Sequence, residues 1–372
     1  MRLPSARVTP MRRALAVLLA SASLLAVPAA ASGYPWPFKP FDRQHPVRGF
    51  FGDPRTVFAD SATEAGIDGP GFFSFHQGVD ISAPNGAPIY AVANGRAHYL
   101  GANTLDLLTG NRHVFQYFHI VPVVGENQRV RARRTVLGYV QTPFGHVHLT
   151  EIVRGRAVNP LQRGHLTPYA DRTTPRVDAI ELSDAHGALA PGTPVCGRVQ
   201  LDAGAFDMPP LPVPGAFHGL PVAPALVTWS IVHRDGRPAA RRRIAADFVR
   251  TLPHTRRFWA VYARGTYENA PRFGYAQYAR TPGRYLFKLA ASFDTTTLRN
   301  GDYVLVVRAG DIRGNAATAR RPFSVRNAGA CPDSLPARPR PGQPPAPAPV
   351  LTRAAPPADG SEEPPAPPVQ AP

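Results

Sequence analysis

Proline and glycine recur through the apolar stretches of this chain, so the runs between them stay short. There are 44 prolines and 32 glycines among 372 residues. Proline removes a backbone donor and glycine raises the entropy cost of ordering, so neither suits a helix interior. Such punctuation excludes an all-helical bundle and a coiled coil. Hydrophobic residues still make up 44 % of the chain, enough for packed cores, which excludes a wholly disordered polypeptide. The expected class is mostly β.

The runs have the length and flanks of strands. Residues 87–93 (APIYAVA), 96–100 (RAHYL), 113–118 (HVFQYF) and 135–140 (TVLGYV) lie between Gly, Pro and Asn, as in an antiparallel sheet. Residues 32–48 form a proline-aromatic lead-in, 49–165 a first β domain, and 166–176 a linker. A second β-rich domain covers 177–328. Its strand 301–309, turn at 311–315 and closing strand 322–325 are the ending expected of an immunoglobulin- or fibronectin-like β-sandwich. Within it, 240–252 reads as a short amphipathic helix and 258–262 as a strand. Trp229, Trp259, Tyr262, Tyr267 and Tyr275 read as sandwich core or as a binding surface. The tail, 329–372, is rich in Pro and Ala and poor in large apolar residues, so it is expected to be disordered.

Charge and address go together. The formal net charge is +17. Met11-Arg12-Arg13 opens an apolar run that ends in Ala29-Ala30-Ala31, the pattern of a secretory signal peptide over residues 1–31. Cleavage after Ala31 removes four arginines and no acid, leaving +13. The expectation is an exported protein, periplasmic or secreted, with no transmembrane anchor after cleavage. Its basic surface suits an anionic cell-wall or membrane surface, and nucleic acid is not expected. Cys196 and Cys331 admit a disulfide in an oxidising compartment, and their spacing suggests no metal site.

Three histidine-bearing segments carry the chemistry. They are 75–80 (FHQGVD), 116–120 (QYFHI) and 144–152 (FGHVHLTEI). In a strand, residues i and i+2 share a face, so His146 and His148 stand side by side while Val147 and Leu149 face the other way. Two imidazoles and a carboxylate with one open position make a catalytic zinc site, and Asp80 can supply the carboxylate. By the same parity Glu151 faces away from His148, with a structural or outer supporting role. No His-Glu-x-x-His helix is present.

The order of these segments resembles the lysostaphin/LytM-type zinc metallopeptidases, which cleave peptidoglycan. The resemblance spans about residues 45–163. It rests on Gly49-Phe50-Phe51-Gly52-Asp53-Pro54-Arg55, on His76-Gln77-Gly78-Val79-Asp80 with the progression through Gly86, Pro88-Ile89 and Gly95, on Tyr117-Phe118-His119-Ile120, and on His146-Val147-His148-Leu149-Thr150-Glu151-Ile152. Residues 141–145, Thr150 and the segment 103–112 depart from the family pattern. The resemblance implies that His76, Asp80 and His148 bind Zn2+, and that His119 and His146 are catalytic, with the general base left open between them. Arg55, Tyr117 and Glu151 are candidates for the substrate groove or for support of the ligands. The implied activity is a zinc endopeptidase that hydrolyses amide bonds in the peptide stems or cross-bridges of peptidoglycan. Two alternatives are a secreted metalloprotease acting on Gly-rich protein chains, and a non-catalytic cell-wall binding or amidase-activating scaffold.

Overall fold

The computed structural model describes residues 33–58, 71–101, 103–269, 272–273, 282–327, 329, 331 and 334–335. The signal-peptide segment, Tyr275 and nearly all of the proline-rich tail lie outside the described residues.

The first part is built on an eight-stranded sheet. Along it run Val47–Gly49, Val79–Ser82, His146–Val153, His113–Phe118, Thr104–Gly110, Gly95–Gly101 and Arg129–Val130, and Arg156–Val158 adds to the His146–Val153 strand. All these neighbours pair antiparallel. The segment 103–112, unlike the family pattern in sequence, supplies the Thr104–Gly110 strand of this sheet.

Alternation explains which face the strands bury. Val79, Ile81, Val147 and Leu149 are fully buried. Each such aliphatic side chain contributes roughly 1.5–3 kcal/mol by leaving water. Their neighbours Asp80, His146 and His148 are thereby turned to the opposite face. The lead-in is part of the same core: Trp36 and Phe38 are buried in it, and the Trp36 indole donates to the Pro168 carbonyl at 2.7 Å.

The second part holds two antiparallel four-stranded sheets. One runs Gly187–Ala188, Arg176–Asp184, Arg198–Phe206 and Leu286–Asp294. The other runs Arg243–Asp247, Leu226–His233, Gly301–Gly310 and Ala316–Val325. Side chains of both sheets, including Leu201, Phe287, Trp229 and Leu305, join one apolar cluster. Trp229 and Tyr262 are core residues.

Two local expectations exchange places here. Residues 243–247 form a strand, not a helix, because that segment completes a ladder with Leu226–His233 and tertiary pairing overrides its helical pattern. Phe258–Val261 is one helical turn, not a strand, because the i and i+3 positions bury Phe258 and Val261 together. Cys196 and Cys331 are joined in a disulfide across 135 residues of chain. The Cys196→Ser/Cys331→Ser double variant is expected to lose about 2–5 kcal/mol in urea unfolding. Its metal content should be unchanged, since the bridge lies in the second part.

From Gly33 onward the described residues belong to one compact unit. Phe51 and Phe75, from the first part, pack in the cluster of the second. Arg272–Phe273 runs parallel to Pro54–Phe58, which in turn pairs with Gly71–Phe75. Gly52 sits at this contact with φ +95°, and a Cβ there would come within 2.4 Å of the Phe248 ring. Its carbonyl accepts the Tyr262 hydroxyl at 2.7 Å, and its N–H donates to the His76 carbonyl at 2.9 Å. Gly52→Ala combines left-handed strain with overpacking, and is expected to cost about 2–5 kcal/mol in denaturant unfolding. Trimming Phe248 to Leu in the same chain should recover part of that loss. Among the described residues no helix is long and apolar enough to cross a membrane.

Candidate metal centre

The sheet register places the three expected ligands together. Asp80 pairs across the sheet with His148, and His148 on its other side with Phe118. His76 reaches the same point from the turn just before the Val79–Ser82 strand. His76 Nε2 lies 2.7 Å from His148 Nδ1 and 3.1 Å from Asp80 Oδ1, and the last two atoms are 3.0 Å apart.

Hydrogen bonds behind the cluster fix what each nitrogen offers. His76 Nδ1 donates to the Phe50 carbonyl at 2.8 Å, so its Nε2 bears a lone pair. His148 Nε2 lies 2.7 Å from the Thr150 hydroxyl, which can accept from it, and in that tautomer Nδ1 keeps its lone pair. In that tautomer two imidazole lone pairs and a carboxylate oxygen meet within 3.1 Å of one another. Such a donor set attracts a cation, and two nitrogens with one oxygen fit Zn2+. Thr150, a departure from the family pattern in sequence, contacts the expected ligand His148.

Asp80 is held from behind as well. Its Oδ2 accepts Arg55 Nη2 at 2.6 Å, and Arg55 Nη1 lies 3.5 Å from Glu268 of the second part. Burial opposes ionisation of Asp80, but the charge of the Arg55 guanidinium beside it favours the carboxylate, which is held well below the usual range. Arg55 thus acts as a positioning residue. Arg55→Met is expected to weaken zinc binding about 10–100-fold in competition with a chelating dye, with the fold retained.

His146 and His119 stand beside this cluster. His146 Nδ1 is 2.8 Å from the Phe144 carbonyl, and the tautomer that donates to it carries its lone pair on Nε2; the Arg48 guanidinium, which can only donate, competes for the same Nδ1. That Nε2 lies 3.6 Å from Asp80 Oδ1. Burial pushes the His146 imidazole down to about 4, and the Arg48 guanidinium adds to the effect while Asp80 opposes it. Arg48 Nη2 is 2.7 Å from His146 Nδ1, and its guanidinium covers the Phe217 ring at 4.2 Å. The His119 ring stacks on Phe144 with centroids 4.0 Å apart and lies 4.6 Å from the His146 ring. Its backbone is left-handed at φ 61°, and its buried Nδ1 has no hydrogen-bond partner among the described residues. Burial, reinforced by His146, pushes the His119 imidazole down to about 3. Both rings are neutral at pH 7.

Tyr117 and Glu151 lie away from this cleft. Tyr117 is fully buried among the apolar residues of the first part, its hydroxyl accepting from Val92 N–H. It shares the core-facing side of the sheet with Leu149, its cross-strand partner. Glu151, 2 % exposed, accepts from the Tyr34 hydroxyl at 2.7 Å, His113 Nε2 at 2.9 Å and His165 Nδ1 at 2.6 Å. It ties the lead-in and the segment after residue 158 to the sheet. Sequence reasoning missed Arg48, Phe217, Glu268 and Asn269, which line the cleft with the histidines. Arg48 adjoins the Gly49-Phe50 motif, but its role depends on contacts that no local spacing reveals. The other three come from the second part and carry no pattern at all.

No protein-family model matches the chain, and neither does any curated protein sequence. Among solved structures, it is similar to a zinc-containing peptidase from Vibrio cholerae, with 20 % identity and a TM-score of 0.26 over 33 % of this chain. The chain covers 37 % of that peptidase. The M23 metalloprotease pseudoalterin from the deep sea matches at 18 % identity and a TM-score of 0.23, covering 38 % of this chain and 80 % of its own. Lysostaphin matches at 13 % identity and a TM-score of 0.23, covering 76 % of this chain and 91 % of its own. In its motifs, and in the residues those motifs bring together, the chain resembles the lysostaphin/LytM-type zinc metallopeptidases.

Proposed function

We propose that the chain is an exported zinc endopeptidase that hydrolyses amide bonds in the peptide stems or cross-bridges of peptidoglycan. The observation that carries this reading is the convergence of His76 Nε2, His148 Nδ1 and Asp80 Oδ1 in a cleft shared with two neutral imidazoles. Zinc in such a site supplies a bound water of lowered pKa and polarises a carbonyl. His76, Asp80 and His148 would hold the metal. His146, whose Nε2 faces that set, would take a proton from the attacking water and return it to the leaving amine. His119, a neutral imidazole lining the same cleft, would donate to the oxygen where negative charge develops.

The two four-stranded sheets of 177–328 support reading that region as an immunoglobulin- or fibronectin-like accessory domain. Phe217, Glu268 and Asn269 make it a wall of the cleft as well. The positive formal charge fits attraction to an anionic wall surface.

The test is release of soluble fragments with new amino termini from purified peptidoglycan. Release is expected to stop with a chelator and return with Zn2+. Elastin and other Gly-rich proteins serve as comparison substrates. Zinc-dependent cleavage of these without release from peptidoglycan would replace the proposed substrate, and zinc binding without cleavage of either would leave a scaffold.

A further inference from the structure

A second group of potential ligands lies far from the histidines in the chain. Asp171 belongs to the segment between the two parts, Asp207 follows the Arg198–Phe206 strand, and Asp311 follows the Gly301–Gly310 strand. Their exposures are 7 %, 1 % and 6 %, so all three carboxylates are withdrawn from water. One oxygen or another of each lies within 4.8 Å of the other two.

Three carboxylates so placed repel one another when ionised; burial, with the neighbouring carboxylates adding, pushes Asp207 up to about 8 and Asp171 above its usual range, the strain that a bound cation would relieve. Local donors satisfy part of the set. Asp311 Oδ1 accepts from the N–H groups of Arg313, Gly314 and Asn315, and Oδ2 from the Asn315 amide. Asp171 accepts from the Tyr169 hydroxyl and from Thr173, and Asp207 Oδ1 from Met208 N–H. Asp207 Oδ2 is different, being buried with no hydrogen-bond partner among the described residues. Such an oxygen, on a side chain 1 % exposed, points to a missing ligand. Arg313 is the nearby cation, but its Nε and Nη2 donate to the Tyr169 carbonyl. Among the described residues no lysine or arginine forms an ion pair with any of the three aspartates.

We propose that Asp171, Asp207 and Asp311 bind a calcium-type divalent cation that clamps three separate segments together. The ligand chemistry decides the class. All-oxygen, carboxylate-rich sites favour hard cations over zinc, and Ca2+ accepts ligands at about 2.3–2.6 Å in flexible geometry, so ligands on opposite sides of it stand up to about 5 Å apart. The observed spread fits that span. Mg2+ demands a tighter octahedron and keeps more of its water, so it fits this protein-lined site less well. The bound ion would fix the linking segment at Asp171 against the ends of two core strands. It would therefore stabilise the junction between the parts without entering the histidine cleft.

The experiment uses the full chain, stripped with chelator and reloaded with one equivalent of zinc. Equilibrium dialysis against CaCl2 is expected to find one Ca2+ per chain, with a rise in Tm of at least about 3 °C once Ca2+ is well above its Kd. Asp207→Asn keeps the side-chain shape and removes one charge. It is expected to lose at least about tenfold in Ca2+ affinity and, without Ca2+, to melt no lower than the unaltered chain because a repulsion is gone. No bound Ca2+ in the unaltered chain would overturn the proposal, as would undiminished binding in both Asp207→Asn and Asp171→Asn. Terbium gives a readout independent of any variant at the aspartates. The Tyr169 hydroxyl is 3.0 Å from Asp171 Oδ2, so excitation of tyrosine should sensitise Tb3+ emission that Ca2+ quenches by displacement and Tyr169→Phe weakens. Emission unaffected by both Ca2+ and Tyr169→Phe would place the ion elsewhere and overturn the proposal.

Discussion

His148→Ala is expected to lose more than about 100-fold in zinc affinity, because loss of an outer supporting partner alone typically costs 10–100-fold and this change removes a ligand. Release of fragments from peptidoglycan should fall at least about 1,000-fold, the equivalent of several kcal/mol of charge stabilisation. Metal analysis of the purified variant beside the unaltered chain checks the first value, and the release assay at equal protein checks the second. Folding is a separable question. His148 is at the cleft surface of a strand whose stability comes from Val147 and Leu149 on the other face, both fully buried. In the presence of chelator the variant and the unaltered chain should therefore unfold at similar urea concentrations. Asp80→Asn provides the second arm. It keeps the size of the side chain, removes the charge, and leaves Arg55 facing an amide in place of its carboxylate at 2.6 Å. It too should lose zinc. Full zinc content in either variant would mean that the ion sits on other residues.

Much of this centre is legible in sequence for one reason: a strand has a strict period of two. That period alone places His146 and His148 on one face and Val147, Leu149 and Glu151 on the other, which is how the residues stand. The same rule extends the cleft face to Thr150, whose hydroxyl holds His148. Register is another matter. Nothing within either strand dictates that His148 lies opposite Asp80, because register is set by the whole pattern of core packing and turns. Arg48, Glu268 and Phe217 were hidden for the same reason: they meet the site through tertiary contacts across long sequence separations. The helix expected at 240–252 and the strand expected at 258–262 show the opposite failure. There local pattern was read without the ladder to Leu226–His233 or the burial of Phe258 and Val261, and those tertiary demands prevailed.

Between the two cleft imidazoles, His146 is expected to be the general base. His146→Ala should lower kcat about 100- to 10,000-fold while zinc stays bound, the range that removal of a positioned acid or base commonly produces. The assignment follows from position. His146 Nε2 faces the expected ligand set, 3.6 Å from Asp80 Oδ1, and it carries the lone pair in the tautomer that donates from Nδ1 to the Phe144 carbonyl. His119 is placed differently, stacked on Phe144, and its buried Nδ1 has no hydrogen-bond partner among the described residues. A neutral ring lining the cleft is suited to donate one hydrogen bond, from the nitrogen that faces it, to developing negative charge. Loss of a single such donor typically costs about 100- to 1,000-fold in kcat. Magnitude alone does not separate the two roles, but the pH dependence does. The acidic limb of kcat/KM reports protonation of the base, so it should vanish from the residual activity of His146→Ala and persist in His119→Ala. Burial and the Arg48 guanidinium both lower the His146 pKa, so the unaltered chain should keep its proposed base unprotonated well below pH 6. Arg48→Met, which removes that positive charge, should move the limb to higher pH without displacing zinc. A limb that survives in His146→Ala and disappears in His119→Ala would exchange the two roles.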